Sequence, residues 1–376
     1  MEKKLRVGLI FGGRSGEHEV SLLSARGVMG AIDRDRYEVV PIGITKEGRW
    51  LASGDPMVAL DSGELGKSNH AALLAEPSQR GLMRLEGREE EQALTAVKVA
   101  ELDVIFPILH GPYGEDGTVQ GLLELAGLPY VGAGVAASAV GMDKILFKGI
   151  MLAHELPIVP YVAIKRKAWE QNPDEVIARI EAEIGYDAFV KPANLGSSVG
   201  ITKAHDQAEL RAALDEAARY DRKLLVEKAV DGREIEVSVL GNDAPIASVP
   251  GEIVPCNEFY DYAAKYLDGE SQLLIPAPIP DEVAERIRDM AIKAYLAIDC
   301  AGMARADFLL DRDTGQVYVN ELNTLPGFTP ISMYPKLWEA SGIPYTELIG
   351  RLIELALERY ADKSRSATSY QIPEEA

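Results

Sequence analysis

The sequence predicts an α/β protein that begins with a parallel sheet and continues into regions of mixed α+β character. A short apolar run at 5–11 ends in Gly12 and Gly13 and leads into a helical pattern at 15–32. A second apolar run follows at 37–44. The order strand, glycine turn, helix, strand is typical of a parallel α/β unit. Later strands lead into a tight hairpin, which predicts antiparallel pairing in the last third of the chain.

At 376 residues the chain is long enough for two or three domains. We place them at 1–134, 135–232 and 233–376. Residues 46–100 are polar and weakly periodic, and they predict no regular element. Further strands are predicted at 103–109, 129–134, 161–164, 189–191, 224–228 and 233–240, and further helices at 118–126, 143–156, 173–184, 207–220, 281–298 and 345–361.

Composition excludes several classes of protein. The formal net charge is −20, which argues against a nucleic-acid binder or a membrane-surface binder, since both need a basic footprint. Two cysteines are too few for a disulfide framework, and five histidines without zinc-site spacing argue against a zinc centre. No run of 18 apolar residues and no signal-peptide pattern is present. These observations predict a cytoplasmic protein without a membrane or nucleic-acid partner.

The predicted hairpin carries the strongest chemical signal. Its turn lies at 311–315, and Asp307 and Glu321 lie seven residues before and after Thr314. A hairpin centred there places the two carboxylates opposite each other, with Asn323 on the same face as Glu321 and Arg305 on the same face as Asp307. Hard oxygen ligands of this kind suit Mg²⁺. A surface hairpin with polar residues on its wet face is the alternative.

A glycine- and serine-rich loop follows the predicted strand at 189–191. It contains Gly196, Ser197, Ser198 and Gly200, and Lys191 directly precedes it. Free N–H groups and hydroxyls in such a loop suit a triphosphate, and the lysine can reach the phosphates as a point charge. The loop is not a Walker A motif, because GxxxxGK[ST] is absent. An ordinary turn is the alternative.

Other polar residues lie where strands end. Glu227 and Lys228 end one strand and Glu234 begins the next, where an acid can accept hydrogen bonds from ribose hydroxyls. Glu17 follows the glycines after the first strand and suits a substrate ammonium, although pairing with the helix dipole is the plainer role. His110 follows a strand end, where ligands gather in open α/β sheets, or it holds its own loop.

Lys265 and Tyr266 lie in a long segment without predicted structure, before the proline run at 276–280. Long loops of this kind are often active-site lids. The aromatic content of the segment, at 258–266, is equally consistent with packing against a neighbouring part of the chain.

Taken together, these segments resemble the ATP-grasp family of D-alanine–D-alanine ligases. The resemblance spans roughly residues 5–360 and implies an N-terminal α/β domain followed by a two-domain ATP-grasp fold. No single motif is decisive, but their order along the chain is very specific. The matching segments are GGRSGEHEVS, LHGPYGEDG, GLPYVG, MDK, VKPANLGSSVG, EFYDYAAKY, ARADF and NELNTLPGFTPIS.

The resemblance implies roles at the matching positions. Two Mg²⁺ ions, with Mn²⁺ as a substitute, would be held by Asp307, Glu321 and Asn323. ATP would be bound by Lys144, Lys191, Ser198, Glu227, Lys228 and Glu234. The first D-alanine would be received by Glu17, which hydrogen bonds with Ser197 and Tyr266, near His110. An oxyanion would be stabilised by Arg305 and the Gly327 N–H group, and the second D-alanine carboxylate would be held by Lys265 and Ser332.

The resemblance also implies the reaction: ATP converts one D-alanine to an acyl phosphate, and the amine of the second displaces phosphate. It further implies a homodimer. Tyr266 favours a dipeptide product, because relatives that make D-alanyl-D-lactate carry another residue there. The alternatives are a D-alanine–D-lactate ligase or another ATP-grasp amino-acid ligase, a non-catalytic nucleotide-binding regulator, and a dehydrogenase. The regulator could dispense with the metal ligands, which are all present, and the dehydrogenase lacks GxGxxG.

Overall fold

The structure is a computed structural model of the whole chain. It describes residues 3–52, 54–63, 70–88, 93–196, 200–254, 272–367 and 369. Within these residues the strands form three sheets, which follow one another along the chain.

The first sheet has the order β6-β5-β4-β3-β2-β1-β7. Only β1 with its neighbours β2 and β7 is parallel, while the pairs from β2 to β6 are antiparallel. Residues 46–100 therefore extend the parallel core as a meander, which their weak periodicity did not predict. The strands are β1 Leu5–Gly12, β2 Tyr37–Ile44, β3 Trp50–Leu51, β4 His70–Leu73, β5 Leu82–Arg88, β6 Ala93–Ala100 and β7 Val104–Ile108.

The predicted strand at 129–134 is reduced to a single parallel bridge between Ile105 and Tyr130. The helices near the first sheet follow the prediction more closely, with α1 at His18–Ala31 and α3 at Thr118–Leu125. The polar region adds α2 at Pro56–Ser62 and a short 3₁₀ turn at Pro77–Gln79.

The second sheet is antiparallel, with the order β10-β9-β11-β8. Apolar side chains of its strands and of two helices form one core, which includes Val190, Leu214 and Leu224. Its elements are β8 Tyr161–Lys165, β9 Ala188–Pro192, β10 Thr202–Ala204 and β11 Lys223–Lys228, with α6 Arg166–Gln171, α7 Pro173–Glu183 and α8 Gln207–Tyr220. Two further helices precede it, α4 Val135–Met142 and α5 Lys144–Ala153.

The third sheet is also antiparallel, with the order β15-β14-β12-β16-β17 and β13 on the outer end of β12. Every second residue of β16 is buried, as expected for a strand with one face against a core. The strands are β12 Gly232–Gly241, β13 Ile246–Ala247, β14 Gly251–Val254, β15 Gln272–Leu274, β16 Gly302–Asp311 and β17 Val317–Asn323.

Three more helices complete the described chain: α9 Asp281–Ala297, α10 Met333–Ala340 and α11 Tyr345–Lys363. Helix α9 packs on the core of the third sheet together with α5. Helix α11 instead buries Leu348 and Leu352 in the core of the first sheet, so the end of the chain returns to its beginning. None of the described helices is both long and apolar enough to cross a bilayer.

Candidate functional site

The hairpin of β16 and β17 has the predicted register. Asp307 lies opposite Glu321, and Arg305 lies opposite Asn323. A one-residue shift between Asp307 and Phe308 makes this possible, because the ladder next to the turn pairs Leu310 with Val317. The symmetry argument therefore gives the right pair, although a bulge on β17 is needed to restore it.

A third carboxylate belongs to this row and was missed from the sequence. Glu236 of β12 lies opposite Asp307 on its other side, so Glu236, Asp307 and Glu321 form a row across three adjacent strands. Like charges directly opposite in a sheet destabilise it unless cations lie nearby. Glu236 could not be placed from the sequence, because β12 and β16 are separated by about 70 residues of chain.

Arg305 supplies one of the required cations. Its Nε and Nη2 donate to the two oxygens of Asp307, each at 2.7 Å, and Nε lies 3.1 Å from Glu236 Oε2. Burial opposes the charged guanidinium, but the charges of Asp307 and Glu236 outweigh it and raise the pKa of Arg305 above its ordinary value. Arg305 therefore stays charged at the centre of the row.

Lys144 supplies a second cation. Its Nζ lies 3.2 Å from Glu321 Oε2 and donates to the carbonyl oxygen of Leu195 at 3.1 Å. Lys144 is the first residue of α5, and Asp143 caps that helix by accepting from the N–H groups of Ile145 and Leu146. The cap holds Lys144 between the carboxylate row and the start of the glycine- and serine-rich loop.

Glu227 is held by two lysines. Lys148 Nζ lies 2.5 Å from Oε1, and Lys191 Nζ lies 2.5 Å from Oε2. Burial opposes the Glu227 carboxylate, but the charges of the two lysines prevail and lower its pKa to about 2. Lys148 was missed from the sequence, where its only signal is its position one helical turn after Lys144.

A cavity of about 670 Å³ lies between the second and third sheets. It brings together most of the residues for which ATP contacts were predicted, along with part of the carboxylate row. The predicted residues that line it are Lys144, Lys191, Glu227, Lys228, Glu234, Asp307 and Glu321.

A smaller cavity of about 410 Å³ adjoins it on the side of the first sheet. Both cavities are lined by Lys144, Glu236 and Glu321, so the carboxylate row forms a wall that they share. The smaller cavity brings together residues from loops of the first sheet and from the segment before α10. The predicted residues that line it are Glu17, His110, Lys144, Arg305, Glu321, Asn323, Gly327 and Ser332.

His110 is buried beside this cavity, at the end of β7. Its Nδ1 lies 3.2 Å from the carbonyl oxygen of Leu325, so this nitrogen carries a hydrogen, and its Nε2 lies 3.1 Å from Ser24 Oγ. Burial lowers the pKa of His110, but the hydrogen bond and charge of Glu115, helped by Glu17, more than compensate and raise it. His110 therefore links α1 to the segment that follows β17.

The segment after β17 forms a tight turn at Gly327–Ser332. The N–H group of Thr329 donates to Ser332 Oγ at 3.0 Å, and the two hydroxyls lie 2.8 Å apart. A Cβ on Gly327 would lie only 2.8 Å from Ser332 Oγ, so the turn requires glycine at this position. The Phe328 N–H group donates to Ser24 Oγ at 3.1 Å, which anchors the turn to α1.

Four predicted site residues lie outside the described residues: Ser197, Ser198, Lys265 and Tyr266. Their predicted neighbours are described on both sides. Gly196, before Ser197, has its backbone next to Glu17, since a Cβ there would lie 3.5 Å from Glu17 Oε2.

The predicted metal ligands offer suitable donors. Asp307 and Glu321 provide carboxylate oxygens on one face of the hairpin, and Asn323 adds an amide on the same strand, although its Oδ1 also accepts from the Leu325 N–H group. Among the described residues no three His, Cys, Asp or Glu side chains converge on one point as a closed metal site. An open set of oxygen donors fits Mg²⁺, which keeps several waters and is completed by substrate phosphates.

Comparison with known proteins identifies the family. Residues 6–133 match the family model described as D-ala D-ala ligase N-terminus, and residues 150–354 match D-ala D-ala ligase C-terminus. The chain belongs to the D-alanine–D-alanine ligase family. A D-alanine–D-alanine ligase of Heliobacterium modesticaldum is 54% identical over 365 residues, which cover 97% of this chain and 98% of the relative.

Solved structures of the family share the fold. The D-alanine-D-alanine ligase from Coxiella burnetii has a TM-score of 0.81 at 36% identity and covers 96% of this chain and 98% of its own. The VanG D-Ala:D-Ser ligase from Enterococcus faecalis has a TM-score of 0.83 at 34% identity, with 94% and 100% covered. The predicted ATP-grasp architecture is therefore confirmed, and the family includes members that differ in their second substrate.

Proposed function

We propose that this chain uses ATP to join two D-alanine molecules into D-alanyl-D-alanine through a D-alanyl phosphate, for peptidoglycan precursor synthesis. The observation that carries the proposal is the wall shared by the two cavities. A phosphoryl group must pass from nucleotide to amino acid, and the row of Glu236, Asp307 and Glu321 borders both spaces. Such a transfer depends on positioning and charge neutralisation more than on a protein nucleophile.

The larger cavity would hold ATP. Lys144 and Lys191 would contact the phosphates as point charges, and Glu227, Lys228 and Glu234 would surround adenine and ribose. Ser198 of the loop after Lys191 would add a hydroxyl. Asp307, Glu321 and Asn323 would hold Mg²⁺, which when bound would neutralise phosphate charge; Mn²⁺ has the same ligand preferences.

The smaller cavity would hold the amino acids. Glu17, which is 8% exposed, would pair with the ammonium group of the first D-alanine near His110. Ser197 and Tyr266 would link the covering segments to Glu17. Arg305 and the Gly327 N–H group would stabilise the tetrahedral oxyanion when the second amine attacks. Lys265 and Ser332 would hold the second carboxylate.

The three sheets support the proposed domains at 1–134, 135–232 and 233–376, because each sheet lies within one of them. A homodimer in the cytoplasm is proposed from the family resemblance. The dipeptide product is supported by the names of the relatives at about half identity and by tyrosine at position 266.

Phosphate release from magnesium–ATP tests the proposal. We expect release with D-alanine and little with L-alanine or without an amino acid. Adding D-lactate as the second substrate, with product analysis by mass spectrometry, separates dipeptide from depsipeptide. Stimulation by L-alanine but not by D-alanine, or a faster reaction with D-lactate than with D-alanine near neutral pH, would contradict the proposal.

A further inference from the structure

Lys148 lies behind the nucleotide cavity and has no role in the proposed reaction. It is on α5, one turn after Lys144, and its side chain is almost fully buried, with 1% of the residue exposed. Among the described residues that line either cavity Lys148 is absent, whereas its partner Glu227 lines the larger one. Any effect of Lys148 on a ligand must therefore act through Glu227.

A buried lysine without a direct ligand is costly, because desolvation of an ammonium group costs several kcal/mol unless it is well paired. Burial lowers the pKa of Lys148, and the charge of Glu227 offsets this only in part. An apolar side chain of similar length would fill the same space without that cost. A charge at this position therefore suggests a use beyond packing.

The charges of the cluster point to that use. Glu227 is shared, with one oxygen on Lys148 and the other on Lys191. Two ammonium groups and one carboxylate give the three residues a net charge of +1. Lys191 lines the nucleotide cavity, so the surplus positive charge lies next to the space where anionic phosphates would bind. Without Lys148, Glu227 would neutralise Lys191 alone.

We propose that Lys148 is a positioning residue for nucleotide phosphate binding: by engaging one oxygen of Glu227, it leaves Lys191 the charge needed to attract the phosphates. The proposal rests on the larger cavity being the nucleotide site. It concerns the phosphate part of the nucleotide and predicts no effect on adenosine.

Net charge distinguishes this role from simple packing. The cluster carries +1 in the wild type, 0 in K148M, +2 in E227Q and +1 in the double variant K148M/E227Q. Calorimetry with magnesium–ADP, and with adenosine by competition, gives the ratio of the two affinities. A direct contact between Glu227 and adenine changes both affinities and cancels in that ratio.

We expect K148M to weaken ADP binding relative to adenosine by about tenfold, the scale of one charge-assisted hydrogen bond. The ratio should rise above wild type in E227Q and return towards wild type in K148M/E227Q. An unchanged ratio in K148M, or a double variant no better than K148M, would overturn the proposal. If K148M does not fold, an E227Q ratio at or below wild type would overturn it as well.

The matched control is K223M. Lys223 is also buried and pairs with Asp143, which caps α5, but it lines neither cavity among the described residues. Its loss removes a buried ion pair that supports the same helix, and it should lower stability without changing the ratio. The titration needs no amino acid, so failure of D-alanine-dependent phosphate release would count against the ligase reaction and leave this measurement independent.

Discussion

The two sides of the smaller cavity are built differently. The wall shared with the nucleotide cavity consists of strands, where Glu236, Asp307 and Glu321 lie in register across β12, β16 and β17. The opposite side consists of loops and turns that meet through single hydrogen bonds, such as those of Ser24 with His110 and Phe328. The strand wall is dense in charge, whereas the loop side has few charged groups, led by Glu17.

This difference indicates a division of work. Strand register places several charges side by side with little freedom, which suits neutralisation of a transferring phosphoryl group. Loop residues are placed by tertiary contacts between distant segments, which suits recognition of a small amino acid. Removing a charge from the strand wall should therefore reduce turnover, while changes on the loop side should mainly affect substrate affinity.

The largest effect is expected for R305M. It removes the guanidinium that donates to both oxygens of Asp307 and lies beside Glu236, and it leaves three carboxylates beside Lys144 alone. We expect kcat to fall by about 10²–10³-fold, the scale for one oxyanion donor. The control is R286M, an exposed arginine that donates to Gly315 O at the turn of the same hairpin. Turnover of R305M within twofold of wild type would refute the division of work.

Glu17 tests the loop side. E17Q keeps the shape of the side chain but removes the charge expected to pair with the D-alanine ammonium, so KM for D-alanine should rise by about tenfold or more. KM for ATP should stay within about twofold. The control is E19Q, two residues further along, whose exposed carboxylate pairs with Lys46. Equal changes in both KM values would show that Glu17 acts on the whole site.

The sequence predicts the strand wall better than the loop side. The pairing of Asp307 with Glu321 follows from strand periodicity and one recognisable turn, both of which are local. Glu236 could not be found in this way, because no local pattern reports which distant strand becomes the neighbour of β16. The same limit explains residues 46–100, whose short strands pair as a meander although their periodicity is weak.

The roles on the loop side came from resemblance to a family, not from spacing. No pattern in the chain indicates that Ser24 on α1 reaches both His110 and the turn that contains Gly327. Lys148 shows a third limit. A lysine on a mainly apolar helix reads as a solvated side chain, and only the structure shows that it is buried against Glu227.

Ser24 probes the connection between the loops. S24A leaves the buried Phe328 N–H group without its described partner, which costs about 1–3 kcal/mol of unfolding free energy. Because the turn of Gly327 loses an anchor, KM for D-alanine should also rise by a few-fold. Urea unfolding and steady-state kinetics measure the two effects. The control is S364A, an exposed serine whose hydroxyl donates to Tyr360 O at the end of α11; a similar loss of stability there would remove the significance of S24A.

The smallest effect concerns acid stability and returns to the strand side. The pKa of Glu227 falls from 4.5 to about 2 in the folded protein, where two lysine charges overcome the burial that opposes its carboxylate. The unfolded chain therefore binds the proton first as pH falls, and this stability, fully present above pH 4.5, is lost towards pH 2. Over that window the unfolding free energy of wild type should decline more steeply than that of E227Q, by at most about 1.4 kcal/mol per pH unit. Above pH 5 the two profiles should run parallel, although E227Q lies lower because Lys148 and Lys191 then repel each other without a carboxylate between them. Urea unfolding from pH 2.5 to pH 7 measures both slopes, and equal slopes below pH 4.5 would show that Glu227 does not neutralise the two lysines in solution.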